Sequence, residues 1–264
     1  VPCRIQFGDR GYLDKVSITA DEFFEELRTN PVHPTTSQPP PGDFRSQYKF
    51  LASHFADVLS INLTGMVSGT LEAARSAADR VNAHGRIHVV NSRNASLGQG
   101  LLAVAAAEYA KAGLSVEDAI AAVEKLIPET RTYGLLKDLR FAVRGGRVPR
   151  WVKTIADLLR ATAIIRTVPD GRVASGTFLF GRRNRIPRFA RYVARLTPAA
   201  GTLDVAIGHA LCPEDAAELE RELQQRLDNI HRTTITDIGA ALGVHGGPGT
   251  LIVATQPYSR PAAS

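Results

Sequence analysis

The sequence predicts an α/β protein: an N-terminal domain, residues 1–130, with a parallel sheet flanked by helices, then a C-terminal α+β domain, residues 131–264, with a largely antiparallel sheet. Three observations predict it. Up to Thr130, short apolar strand-like runs alternate with runs at helical spacing, the pattern of βαβ units. Beyond it, two strand-like runs flank Pro169-Asp170-Gly171, a turn triplet that makes a hairpin. The chain's 264 residues exceed one average domain.

In order, Val1 to Phe7 reads as a strand and Gly8 to Lys15 as a loop. Thr19 to Thr29 reads as a helix with Thr19 or Asp21 as N-cap. Asn30 to Asp43 holds five prolines, which exclude regular structure and stiffen the backbone around Thr35-Thr36-Ser37. Phe44 to His54 is a helix, Asp57 to Leu63 a strand, Thr70 to Asn82 a helix and Arg86 to Val90 a strand. Ser96 to Ala112 is an Ala-rich helix closed by Gly113. Ser115 caps the next, with Glu117 and Asp118 in its first turn and Pro128 at its end. Thr132 to Leu136 is a strand, and Asp138 to Arg144 a helix stopped by Gly145-Gly146. Ala163 to Val168 and Arg172 to Phe180 form the hairpin. A helix follows from Arg185 to Leu196, then a strand (Asp204 to Ala210), a helix (Pro213 to Asn229) and two strands (Thr233 to Ile238, Thr250 to Thr255). The tail from Gln256 is expected to fray.

Composition narrows the function classes. No stretch carries the roughly 18 apolar residues that a membrane helix needs. Two cysteines, Cys3 and Cys212, exclude a disulfide framework and fit a reducing cytoplasm. No apolar leader is visible at the N-terminus. The net charge of +6 favours anionic partners, yet the basic residues are dispersed and no aromatic-interleaved motif points to nucleic acid. The exception to that dispersion is Arg182 to Arg195, which reads as a solvated helix face. His84 and His88 lack the Cys or carboxylate companions of a metal site. No cofactor motif is present: no P-loop Lys follows the glycines, and no dinucleotide fingerprint occurs in the right context.

The chemistry concentrates at Leu59 to Ala78. An apolar run breaks at Thr64-Gly65, passes Ser68-Gly69-Thr70, and resumes at helical spacing. A strand–turn–helix of this kind offers free N–H groups and a hydroxyl to an anion. Ser68 equally fits a plain helix N-cap. Thr36 fits a residue that satisfies its own loop, and His245, set among glycines, fits a turn residue.

Four short motifs follow one another along the chain: T-T-S-Q-P at Thr35 to Pro39, S-G-T at Ser68 to Thr70, D-L-x-x-x-x-x-G-G-R from Asp138 to Arg147, and H-G-G-P-G at His245 to Gly249. On these the chain resembles the DegV family of bacterial fatty-acid-binding proteins, which includes the acyl-binding subunit of bacterial fatty acid kinase. The resemblance implies a buried acyl chain whose carboxylate is held by Thr36 and Ser68, with Ser37, Gly69 and His245 nearby and Arg183 beside the head. It also implies a fatty acid kinase as partner, which phosphorylates the carboxylate that this protein presents; the chain itself is then a binder and not an enzyme. Relatives start with an additional strand and an Asp-Ser loop, so the resemblance implies a first sheet one strand short. Asn91 stands where they commonly carry Asp.

The competing reading is a serine hydrolase or acyltransferase with Ser68 as nucleophile and His245 as base. Its spacing is G-x-x-S-G, not the G-x-S-x-G of a nucleophile elbow.

Overall fold

The computed structural model describes residues 1–81, 85–146, 161–181, 183–198 and 200–258. Strand β1 (Arg4–Phe7) alternates exposed and buried side chains, and pairs antiparallel with β2 (Arg10–Leu13) and β3 (Thr35–Ser37). The expected loop at Gly8 to Lys15 is therefore largely a strand. Gly8 takes φ +55° in the two-residue connection between paired Phe7 and Arg10, a positive angle that glycine adopts without Cβ strain. The proline-rich segment is likewise not irregular throughout. Pro34 and Pro39 bracket Thr35–Ser37 without entering it, so the three residues keep their N–H groups for pairing.

Helix α1 (Ala20–Thr29) opens with a capping box in which Thr19 and Glu22 exchange side-chain-to-backbone hydrogen bonds. Thr19→Ala is expected to cost about 1 kcal/mol, measured by urea denaturation. Helix α2 (Pro41–His54) begins three residues before the expected Phe44, because proline is tolerated at a first helical position.

The expected parallel sheet with flanking helices is present. Strands β4 (Val58–Asn62) and β5 (Ile87–Asn91) pair parallel. One face packs on α2 and α3 (Thr70–Val81) through Tyr48, Val58, Ala74 and Ala77. The other packs on α4 (Leu97–Lys111) and α5 (Val116–Leu126) through Leu59, Ile61, Leu102 and Val123.

The second sheet has six strands. They are β6 (Arg131–Leu136), β7 (Ala161–Thr167), β8 (Val173–Phe180), β9 (Leu203–His209), β10 (Ile230–Asp237) and β11 (Leu251–Pro257), in the order β10-β9-β11-β6-β7-β8. Every neighbouring pair but β9–β10 is antiparallel, as expected. Helix α6 (Leu139–Arg144) follows β6. Helices α7 (Arg185–Leu196) and α8 (Pro213–Gln224) cover one sheet face through Phe189, Val193, Leu219 and Leu223, against Tyr133, Leu135, Ile164 and Leu179.

Helix α9 (Ala240–Gly246) was not expected. Its glycine content hides it, and it is stabilised by packing: Val244 and Ala240 join Phe7, Phe23, Phe24 and Ile252 in one core. The start of the tail departs from the expected fraying: Gln256 lies in β11, 2% exposed, and accepts a hydrogen bond from Thr130 Oγ1 at 3.1 Å. Residues 259–264 and Asn82 lie outside the described residues, as do Arg147, His84 and Arg182. Among the described residues no helix is long and apolar enough to cross a membrane.

Candidate functional site

Alternation along β3 decides which hydroxyl of Thr35-Thr36-Ser37 faces inward. Thr36 stands opposite buried Ile5 and is half-buried, whereas Thr35 and Ser37 project to the exposed side. Thr36 Oγ1 lies 3.1 Å from His245 Nε2, in hydrogen-bond contact across 209 positions of sequence. His245 belongs to the last turn of α9, so the residue is helical rather than part of a glycine turn.

Two glycines hold this pair against its neighbours. A Cβ on Gly145 would stand 2.0 Å from His245 Nδ1, so the D-L…G-G motif seats the imidazole through a missing side chain. Gly247, just past α9, takes φ +71° and lies against Phe141 of α6. The His33 ring packs on Phe141 with centroids 6.1 Å apart. Burial, and then the Arg144 guanidinium, lower the His33 pKa below its ordinary value, so the imidazole is neutral at pH 7.

The S-G-T loop meets the T-T-S-Q-P strand through Gln38. A Cβ on Gly69 would stand 2.0 Å from Gln38 Oε1, so the amide rests on bare backbone. Ser68 Oγ lies 2.8 Å from Thr70 Oγ1 and accepts from the Thr70 N–H at 3.3 Å. Ser68 thus closes a local turn just ahead of α3, whose N-cap position is Gly69. The Ser68 side chain bonds to Thr70, while His245 Nε2 engages Thr36; among the described residues Ser68 and His245 do not form the nucleophile–base hydrogen bond of a hydrolase.

A buried amide fixes this loop to the large sheet. Asn94 Oδ1 accepts from Thr132 Oγ1 and Thr167 Oγ1, each at 3.0 Å, and Asn94 Nδ2 donates to Thr130 O at 3.1 Å. The Asn94 carbonyl accepts from the Thr64 N–H at 2.8 Å. Gly171, at the tip of the β7–β8 hairpin, sits against Thr64 and Arg93. Asn91 Oδ1 accepts from the Arg93 N–H at 3.0 Å, a turn that Asp would close equally well.

The structure thus joins Thr36 to His245 directly, and Gly69 to the Thr36 strand through Gln38. Ser37 and Arg183 are exposed. His88 pairs with Asp57 at 3.2 Å, and no metal-binding group of three or more His, Cys, Asp or Glu residues occurs among the described residues. Sequence reasoning missed Gln38, Phe141, His33 and Asn94. Gln38 and Phe141 lie inside the four motifs, so the signal was there; His33 and Asn94 are isolated polar residues without a spacing to mark them.

Neither of two cavities elsewhere in the described residues is lined by Thr36, Ser68 or His245. One, of about 390 Å³, lies between β4, α4 and α5 at Leu59, Ile61 and Ala106. The other, of about 370 Å³, lies at Glu220, Gln224 and His231.

Residues 1–257 match the family model described as "Uncharacterised protein, DegV family". A DegV domain-containing protein of Deinococcus radiodurans is 31% identical over 261 residues, covering 98% of this chain and 91% of its relative. The solved structure of a DegV family protein from Thermus thermophilus, described for its fatty acid binding, superposes with a TM-score of 0.86 at 27% identity, covering 98% of this chain and 91% of that one. DegV of Bacillus subtilis, described as a fatty acid binding protein, gives a TM-score of 0.84 at 28% identity over the same shares.

Proposed function

The chain belongs to the DegV family, and from that premise we propose that it binds a long-chain fatty acid. The carboxylate is held by Thr36 and Ser68, with His245 beside them. The acyl chain is buried, and the bound acid is presented to a fatty acid kinase that forms the acyl phosphate. The protein acts as a carrier, and the partner performs the chemistry.

One observation carries the reading. The Thr36–His245 hydrogen bond and the seating of Gln38 on Gly69 draw three separate motifs toward one place. A carboxylate there would replace weak neutral contacts with charge-assisted ones, which are roughly twice as strong. For the tail, the sheet face opposite α7 and α8 offers Leu136, Ala163, Ile165 and Phe178, with Leu139 and Ala142 of α6 above them. α6 ends at Gly145, against His245. A chain running from the hydroxyls over this face would bury its methylenes at about 0.8 kcal/mol each, on the order of 10 kcal/mol for a palmitoyl chain before binding costs.

Mass spectrometry of an organic extract of the purified protein tests this. Intact free fatty acid at near one equivalent is the expected result, and Thr36→Val with Ser68→Ala should reduce its retention about tenfold per hydroxyl. An extract free of fatty acid, with no uptake of added oleate, contradicts it.

A further inference from the structure

We propose that His33 is a further ligand-binding residue, its buried Nε2 making a hydrogen bond to the carboxylate of the bound fatty acid. The inference rests on the binding reading above and adds a contact that none of the four motifs contains.

His33 Nε2 is buried and has no hydrogen-bond partner among the described residues. Buried polar atoms in folded proteins are nearly always paired, and an unpaired one costs stability. The ring is not adrift in a core: its neighbour is Phe141, which also lies against Gly247 of the H-G-G-P-G loop. Thr36, three residues on, engages His245, and Gly145, the C-cap of α6, seats the same imidazole. His33 is thus joined through Phe141 to the cluster assigned to the acid head. The charged group that acts on the His33 ring is Arg144 on α6.

The expected chemistry follows from the sign of these neighbours. Without ligand, burial and Arg144 favour the neutral ring. A carboxylate at Nε2 favours the protonated ring instead, so binding takes up a proton. The His33 pKa then lies higher in the complex than in the free protein. The extra affinity is present below the free value and is lost as pH rises through the bound one.

The test is a nitrogen-15 NMR titration of the histidine rings in the full chain, free and with oleate or methyl oleate. Oleate should raise the His33 pKa; methyl oleate, which has no charge, should not. His33→Phe should weaken oleate binding about tenfold, while His33→Gln, which keeps a donor at the corresponding reach, should retain most of it. An unchanged His33 titration in the oleate complex, together with wild-type affinity in His33→Phe, overturns the inference and leaves fatty acid binding standing. Failure of the wild-type protein to bind oleate at all overturns both.

Discussion

Lengthening a saturated fatty acid by six methylenes is expected to tighten its binding to this protein by roughly three orders of magnitude. The head contacts are constant along such a series, so the increment reports the tail alone. At about 0.8 kcal/mol per buried methylene, six contribute about 5 kcal/mol. The gain holds while the pocket still has apolar surface to cover, which on the proposed path is the β6–β8 face with Ile165 and Phe178. It should level off at the pocket's end, and the chain length at which it does so measures the pocket. Competition against a fluorescent fatty acid across the series checks this. A flat series would place the tail in solvent and leave the protein a binder of small carboxylates.

The second large effect concerns stability. Gly247→Val is expected to destabilise the protein by about 3 kcal/mol, lowering Tm by roughly 10 °C. Gly247 combines φ +71° with ψ 175°, a region reserved almost wholly for glycine. A Cβ there would also stand 2.2 Å from the Phe141 ring. Neither strain can relax cheaply, because Phe141 is held between this loop and His33. Thermal unfolding followed by circular dichroism decides it; a Tm within a few degrees of wild type would mean that the loop re-forms without its left-handed turn. Gly146→Ala makes a useful contrast. That residue also has positive φ, at +72°, but a Cβ there meets nothing within 4 Å, so only the smaller backbone cost applies.

Much of this molecule was legible in its residues, and the misses share a cause. Alternating strands and helices from Val58 to Leu126 follow their periodicities closely, because each element buries one face and the spacing records it. The turn at Pro169-Asp170-Gly171 was equally clear, since Gly171 does take φ +87°. Helix α9 and strand β3 were not legible. Glycines in the one and flanking prolines in the other lower local propensity, and tertiary contacts with Phe23, Phe24 and β1 override it. For the candidate site, the motifs identified which segments matter. The resemblance singled out Thr36 over Ser37 without a physical reason; strand alternation supplies one once β3 pairs with β1, turning Thr36 inward and Ser37 outward. The motifs did not mark His33, whose interest lies in what surrounds it rather than in any pattern of sequence.

A crystal structure of the protein with oleate tests the central claim most directly. The account predicts a carboxylate oxygen within hydrogen-bond distance of Thr36 Oγ1 and another at Ser68 Oγ, with the chain running toward Phe178. Oleate bound instead in the groove at Leu59, Ile61 and Ala106, with Thr36 and Ser68 untouched, would contradict it.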